Sequence, residues 1–187
     1  PAPLLSRAKL EEVMKTAVEP TLAGPRAEGM TYRGLLFVGL MLTSDGPRVL
    51  EYNVRFGDPE TQAVLPLLES DLLGLLTATA AGRLAEVTPE WSAASAACVV
   101  LAAPGYPGGY PTGLPLELPE LLPEGTLIFH AGTARTDEGL VVSGGRVLNV
   151  VAVAATLPEA VAAAYRGVDA VDFPNAHLRR DIGGRSG

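Results

Sequence analysis

The chain has 187 residues, a formal net charge of −7 and one cysteine. Its 48% hydrophobic and 19% charged shares describe a globular chain of one large or two small domains, not a disordered one. The acidic balance and the lack of a basic run exclude nucleic acid as a bulk partner, since neutralising phosphate takes clustered Lys and Arg.

No run of ~18 apolar residues and no signal-peptide pattern argues for a membrane. Cys98 cannot form an internal disulfide and reads as a small core residue in an apolar run; a reduced, cytoplasmic setting fits. The chain opens at Pro1, without Met, in mid-composition. That points to a piece of a longer protein or one half of a split one.

Ser6 can cap a helix running to about Leu22, with Leu10, Val13, Met14, Ala17 and Val18 as its apolar stripe and Pro20 as its kink or stop. Lys9 and Lys15, the only lysines, fall on its solvated face. Leu35–Leu42 is a continuous apolar run, expected to be a strand buried on both faces at the centre of a sheet. Ser44-Asp45-Gly46-Pro47 turns it into a second strand, giving an antiparallel hairpin.

That second strand is Arg48-Val49-Leu50-Glu51-Tyr52-Asn53-Val54-Arg55. Alternation puts Glu51, Asn53 and Arg55 on one face, at steps of roughly 7 Å. A carboxylate, an amide oxygen and a guanidinium suit a hard cation held beside phosphate. The same alternation also describes a strand that merely shows its polar side to water.

Gly57-Asp58-Pro59 reads as a helix start, with Asp58 at the N-cap, Pro59 at the first position and Glu60 in the first turn. Both acids can therefore be structural or functional. Pro66 should interrupt this helix; another begins at Ser70 or Asp71 and closes at Gly82.

The stretch Glu86–Ser95 reads as a boundary, after which strands and turns dominate. Strands are expected at Ala96–Ala103, Thr126–Ala131, Leu140–Ser143 and Arg146–Ala155, with Ser143-Gly144-Gly145 as the hairpin turn joining the last two. The Gly- and Pro-dense loop from Pro104 to Gly113 lacks the lysine and helix start of a P-loop and reads as backbone turns. Thr156-Leu157-Pro158-Glu159 has capping-box spacing and opens an alanine-rich helix to about Asp169. The polar tail from His177 is either loose or packed back on the first part. His130 reads as a strand residue rather than a ligand.

Gly39-Leu40-Met41, followed by the run from Glu51 through Asn53-Val54-Arg55-Phe56-Gly57-Asp58-Pro59-Glu60-Thr61-Gln62, resembles the signature of the phosphoribosylamine–glycine ligase family, ATP-grasp enzymes of purine biosynthesis. Ser70-Asp71-Leu72, Pro104-Gly105-Tyr106-Pro107-Gly108, Phe129-His130-Ala131-Gly132-Thr133, Gly144-Gly145-Arg146-Val147-Leu148 and Arg180-Asp181-Ile182-Gly183 resemble it in the same order, so the likeness covers nearly the whole chain.

The resemblance implies a reaction: ATP, glycine and 5-phosphoribosylamine give ADP, phosphate and glycinamide ribonucleotide through a glycyl phosphate. It implies magnesium or manganese held by Glu51 and Asn53, and Arg55 on the transferring phosphoryl group as a cofactor-binding and catalytic residue. Asp58 and Glu60 would line the substrate pocket. Two departures accompany it. The preceding strand carries no acid, which weakens the case for two metals. Family members are roughly twice as long, and the lysines that hold ATP phosphates lie in the part absent here.

The expected fold is α+β: residues 1–88 as the back half of an ATP-grasp domain, with an antiparallel sheet and helices, then residues 89–187 as a small β-rich C-terminal domain. The expected partners are the three small-molecule substrates and the missing N-terminal part, and the chain alone should be inactive. Rivals are another ATP-grasp carboxylate–amine ligase, or a non-catalytic binding module derived from the fold. The Phe56-Gly57-Asp58-Pro59-Glu60 run speaks against a biotin-dependent carboxylase.

Overall fold

A computed structural model describes residues 5–184. The chain is α+β with antiparallel sheets. It divides into two units: one runs to Asp58 and takes in Leu68–Trp91; the other takes Pro59–Leu67 and the chain from Ser92 onward.

The first unit opens with α1 (Arg7–Val13), whose N-cap Ser6 accepts from the Lys9 backbone N–H at 3.2 Å. Pro20 does not end the helix. A π-helical turn, Met14–Val18, is inserted before it, and α2 (Glu19–Ala27) carries Pro20 in its first turn, so the wider turn lets the helix continue past a residue with no N–H to give. Of the expected apolar stripe, Val13 and Ala17 are buried, whereas Leu10 and Met14 are exposed.

Strands β1 (Phe37–Thr43) and β2 (Gly46–Asn53) form the expected hairpin around Ser44-Asp45. They form a two-stranded ribbon rather than the centre of a wider sheet. The apolar run is accordingly not buried on both faces: Met41 and Leu42 are exposed, as are Leu50 and Tyr52 on β2. A ribbon of two strands has no neighbours to cover its flanks, so the apolar composition outruns the burial available in the described residues. Tyr52 is tied to α2 by a 2.8 Å hydrogen bond between its hydroxyl and that of Thr21. Helix α4 (Leu72–Ala80) starts as expected, with Asp71 accepting from Leu73 and Gly74 N–H groups at 3.3 and 2.7 Å, and ends before Gly82 in the left-handed region.

The second unit begins with the short α3 (Glu60–Val64), which Pro66 terminates through a 3₁₀ turn. Its core is the three-stranded sheet β3 (Ser95–Ala102), β7 (Arg146–Ala154), β4 (Thr126–His130), with β7 central. Helix α5 (Leu157–Ala170) packs on this sheet, burying Ala160, Ala164 and Val168 against Val99, Leu148 and Val150. Its capping box is complete: Thr156 Oγ1 accepts from Glu159 N–H, and Glu159 Oε2 accepts from Thr156 N–H at 3.0 Å.

The strand β6 (Gly139–Val142) does not pair with β7. It pairs with β5 (Thr133–Thr136), which was not foreseen, and Ser143-Gly144-Gly145 carries the chain from that ribbon into the central strand rather than closing a hairpin. A backbone bond from Ser143 N–H to Gly132 O fixes this turn against the start of β5. The tail packs on α5: Tyr165 hydroxyl donates to Arg179 O and accepts from Ile182 N–H, both at 3.0 Å. Cys98 is half-buried on β3, and His130 is exposed with its Nδ1 2.9 Å from Thr133 Oγ1. Among the described residues, no helix is long and apolar enough to cross a membrane.

Candidate functional site

Glu51 and Asn53 end β2, and the strand places them on one face. Asn53 Nδ2 donates to Glu51 Oε1 at 3.2 Å. The bond uses the amide nitrogen and one carboxylate oxygen, so Asn53 Oδ1 and Glu51 Oε2 are not consumed by it. Glu51 is exposed and Asn53 half-buried, and no ion pair among the described residues ties up the Glu51 carboxylate.

The register across the ribbon explains how this pair is presented. Asn53 stands opposite Phe37 and Glu51 opposite Gly39; the register then shifts, with Leu40 opposite Val49 and Leu50 as the extra residue of a β-bulge. A Cβ built on Gly39 would lie 3.0 Å from Glu51 Cγ, so the glutamate stem occupies the space that a side chain at position 39 would fill. In the sequence Gly39 stands out only as part of the Gly39-Leu40-Met41 run. Its role depends on the bulge, which sets who faces whom and leaves no mark in periodicity.

Arg55 lies outside the strand. β2 ends at Asn53 and the chain bends at Val54 and Arg55, so alternation no longer governs its direction. Its guanidinium is exposed and directs one N–H to the Phe56 carbonyl at 3.0 Å, and among the described residues no carboxylate pairs with it.

Asp58 lies in a turn, half-buried, one residue before the N-cap position. The N-cap of α3 is Pro59, without a side-chain cap bond, one position later than the sequence suggests. Glu60 is the first residue of α3, exposed, and belongs to the second unit. The structure therefore brings Glu51 and Asn53 together, with Arg55 two residues beyond.

The donor chemistry of the pair fits a magnesium- or manganese-type ion, which takes carboxylate and amide oxygens. It fits only as part of a coordination shell. Among the described residues there is no group of three or more His, Cys, Asp or Glu side chains able to hold a metal. The remaining positions would belong to phosphate oxygens and water, the usual arrangement for magnesium at a nucleotide.

A family model described as phosphoribosylglycinamide synthetase, ATP-grasp (A) domain, matches residues 1–61, and one described as phosphoribosylglycinamide synthetase, C domain, matches residues 96–185. The chain is 48% identical over 188 residues to a phosphoribosylamine–glycine ligase of Chlorobaculum tepidum, covering 100% of this chain and 44% of that protein. It is 49% identical over 182 residues to a bifunctional purine biosynthetic protein of Schizosaccharomyces pombe, covering 97% of this chain and 23% of that one. The crystal structure of phosphoribosylamine–glycine ligase from Thermotoga maritima matches with a TM-score of 0.82 at 38% identity, over 96% of this chain and 44% of that chain. The chain thus spans less than half the length of these ligases.

Proposed function

The chain belongs to the phosphoribosylglycinamide synthetase family, and from that premise we propose that it is the C-terminal portion of an ATP-dependent ligase joining glycine to 5-phosphoribosylamine in de novo purine biosynthesis. The observation that carries this reading is the Glu51–Asn53 oxygen pair, joined by its 3.2 Å bond, inside the segment that resembles an ATP-grasp domain.

In the reaction, a glycine carboxylate oxygen attacks the γ-phosphorus of ATP and the bond to the bridging oxygen of ADP breaks. The amine of 5-phosphoribosylamine then attacks the carbonyl carbon of glycyl phosphate. Phosphate leaves, a proton is lost from nitrogen, and the amide of glycinamide ribonucleotide remains.

Glu51 and Asn53 would hold the metal, and the 3.2 Å hydrogen bond joins their side chains at the end of the strand. Bound magnesium or manganese would neutralise phosphate charge as it develops. Arg55 presents a planar fork to the transferring phosphoryl or acyl phosphate, and among the described residues no carboxylate is paired with that fork. By the resemblance, Asp58 and Glu60 would each contribute to substrate binding. Catalysis of this kind is mostly positioning and charge stabilisation, so rigid presentation of these groups is the contribution the chain makes.

Residues 1–88 form the back part of the ATP-grasp domain and residues 89–187 the C-terminal domain. The exposed apolar residues of the β1–β2 ribbon, Met41, Leu42, Leu50 and Tyr52 among them, support cover by the remainder of the ligase. The only lysines, Lys9 and Lys15, lie in the N-terminal helical segment and not on β1 or β2. The chain alone would therefore bind ATP weakly and not catalyse ligation. A cytoplasmic location follows from the substrates.

The test is metal titration of the full-length ligase carrying Glu51→Gln. A fall in turnover with a raised magnesium requirement is expected. Unchanged metal dependence and turnover would remove Glu51 from its role.

A further inference from the structure

The position facing Glu51 across the ribbon is as specific as Glu51 itself. Gly39 is its cross-strand partner, and a Cβ there would stand 3.0 Å from Glu51 Cγ. That is tighter than ordinary carbon–carbon contact of about 3.5–4.0 Å, so a methyl group at position 39 would require the Glu51 stem to give by a few tenths of an ångström. Functional groups tolerate about that displacement before their geometry degrades. The bulge adjoining this pair, with Leu50 as the extra residue, keeps Glu51 seated over Gly39 rather than over a neighbour with a side chain. The carboxylate then lies within 3.2 Å of the Asn53 amide.

We infer that Gly39 is a positioning residue for the metal pair. Its missing side chain is the space through which Glu51 leans toward Asn53, so that both oxygens address one divalent cation. The inference rests on the reading of Glu51 and Asn53 as metal ligands, and goes beyond it by assigning their alignment to a residue that touches neither metal nor substrate.

The test uses the full-length ligase with ATP present, isotopically labelled at asparagine, with manganese ion as the probe and broadening of the Asn53 side-chain amide NMR signals as the readout. In the unaltered ligase, manganese broadens these signals. In Gly39→Ala about tenfold more manganese is needed, the scale on which groups that orient a metal ligand act, while NOEs between Phe37 and Asn53 persist. Glu51→Gln abolishes the response. If Glu51→Gln abolishes it but Gly39→Ala matches the unaltered ligase, the positioning role is wrong and the metal pair stands. If the unaltered ligase gives no broadening, or Glu51→Gln responds as the unaltered ligase does, the metal reading falls and the inference with it. If Gly39→Ala loses the Phe37–Asn53 NOEs, Gly39 serves the ribbon rather than the carboxylate, and the inference is overturned.

Discussion

Asn53 gives a side-chain N–H to Glu51 at 3.2 Å, so each residue fixes the other's side chain at the end of β2. The bond is made by the amide nitrogen, which leaves the amide oxygen as the donor to a cation. Asn53→Ala removes both that oxygen and the restraint on Glu51. In the full-length ligase, the metal concentration for half-maximal rate should rise by roughly 10- to 100-fold, the usual cost of losing such support. The KM for glycine should change little. Initial rates measured against magnesium at saturating substrates check this.

Gly167 lies in α5 where the helix meets the sheet. A Cβ there would come 2.7 Å from Thr126 Cγ2 and 2.8 Å from Val150 Cγ1. Helix propensity alone favours alanine over glycine by about 1 kcal/mol. Forcing a methyl group into a packed interface costs about 1–3 kcal/mol. Both contacted atoms belong to strands of the central sheet, and Val150 is fully buried, so there is little room to yield. Overpacking should win, and Gly167→Ala should lower the melting temperature by a few degrees, on the order of 2–4 °C per kcal/mol for a chain of this size. A thermal melt followed by circular dichroism decides the sign.

Local chemistry was legible in the sequence and register was not. Ser6, Asp71 and the Thr156–Glu159 box cap their helices as their spacing indicates, because a cap is settled within four residues. The metal-pair candidates Glu51 and Asn53 were readable for the same reason, being neighbours on one strand. Alternation carried on to Arg55 puts it on their face, but β2 ends at Asn53, two residues before it. The pairing of β6 with β5 rather than β7 is a choice between distant partners that alternation does not encode. The apolar Leu35–Leu42 run reads as doubly buried, yet a strand reaches that burial only when other strands and helices flank it.

The capping box of α5 offers a clean local test. Thr156 Oγ1 accepts from Glu159 N–H, while Glu159 returns a carboxylate to the Thr156 N–H at 3.0 Å. Thr156→Ala removes one half of this exchange and should destabilise the chain by about 1 kcal/mol. Thr156→Ser keeps the hydroxyl and should restore most of it. Chemical denaturation of the two variants, with an unchanged slope against denaturant, measures the difference.

Tyr165 joins α5 to the tail through a hydroxyl that donates to Arg179 O and accepts from Ile182 N–H. Phenylalanine keeps the ring and its contact with the Arg180 guanidinium, 5.8 Å from the ring centroid, but orphans both backbone groups. The exposed Arg179–Asp181 pair is not a substitute anchor, because ion pairs in water contribute little. Tyr165→Phe should therefore cost about 1 kcal/mol per lost hydrogen bond at most. It should also speed hydrogen exchange at the Ile182 amide while leaving β7 protected.

Arg55 separates charge from geometry. Its guanidinium holds only the Phe56 carbonyl among the described residues and carries no ion pair, so its fork is open to an anion. If its task in the full-length ligase is to grip a phosphoryl group through two parallel N–H bonds, charge alone is not enough, and lysine, a point charge, cannot replace it. Arg55→Lys should then lower kcat by roughly 10²-fold, near the lower end for losing a preorganised donor at a developing negative charge. The midpoint for magnesium should stay close to that of the unaltered enzyme, since the oxygens of Glu51 and Asn53 are untouched. Arg55→Ala should be as slow or slower. Should Arg55→Lys keep full turnover, Arg55 serves only as a diffuse positive charge, and the bidentate role is wrong. Should its magnesium midpoint move as far as that of Asn53→Ala, Arg55 acts by holding the strand end in place rather than by touching phosphate.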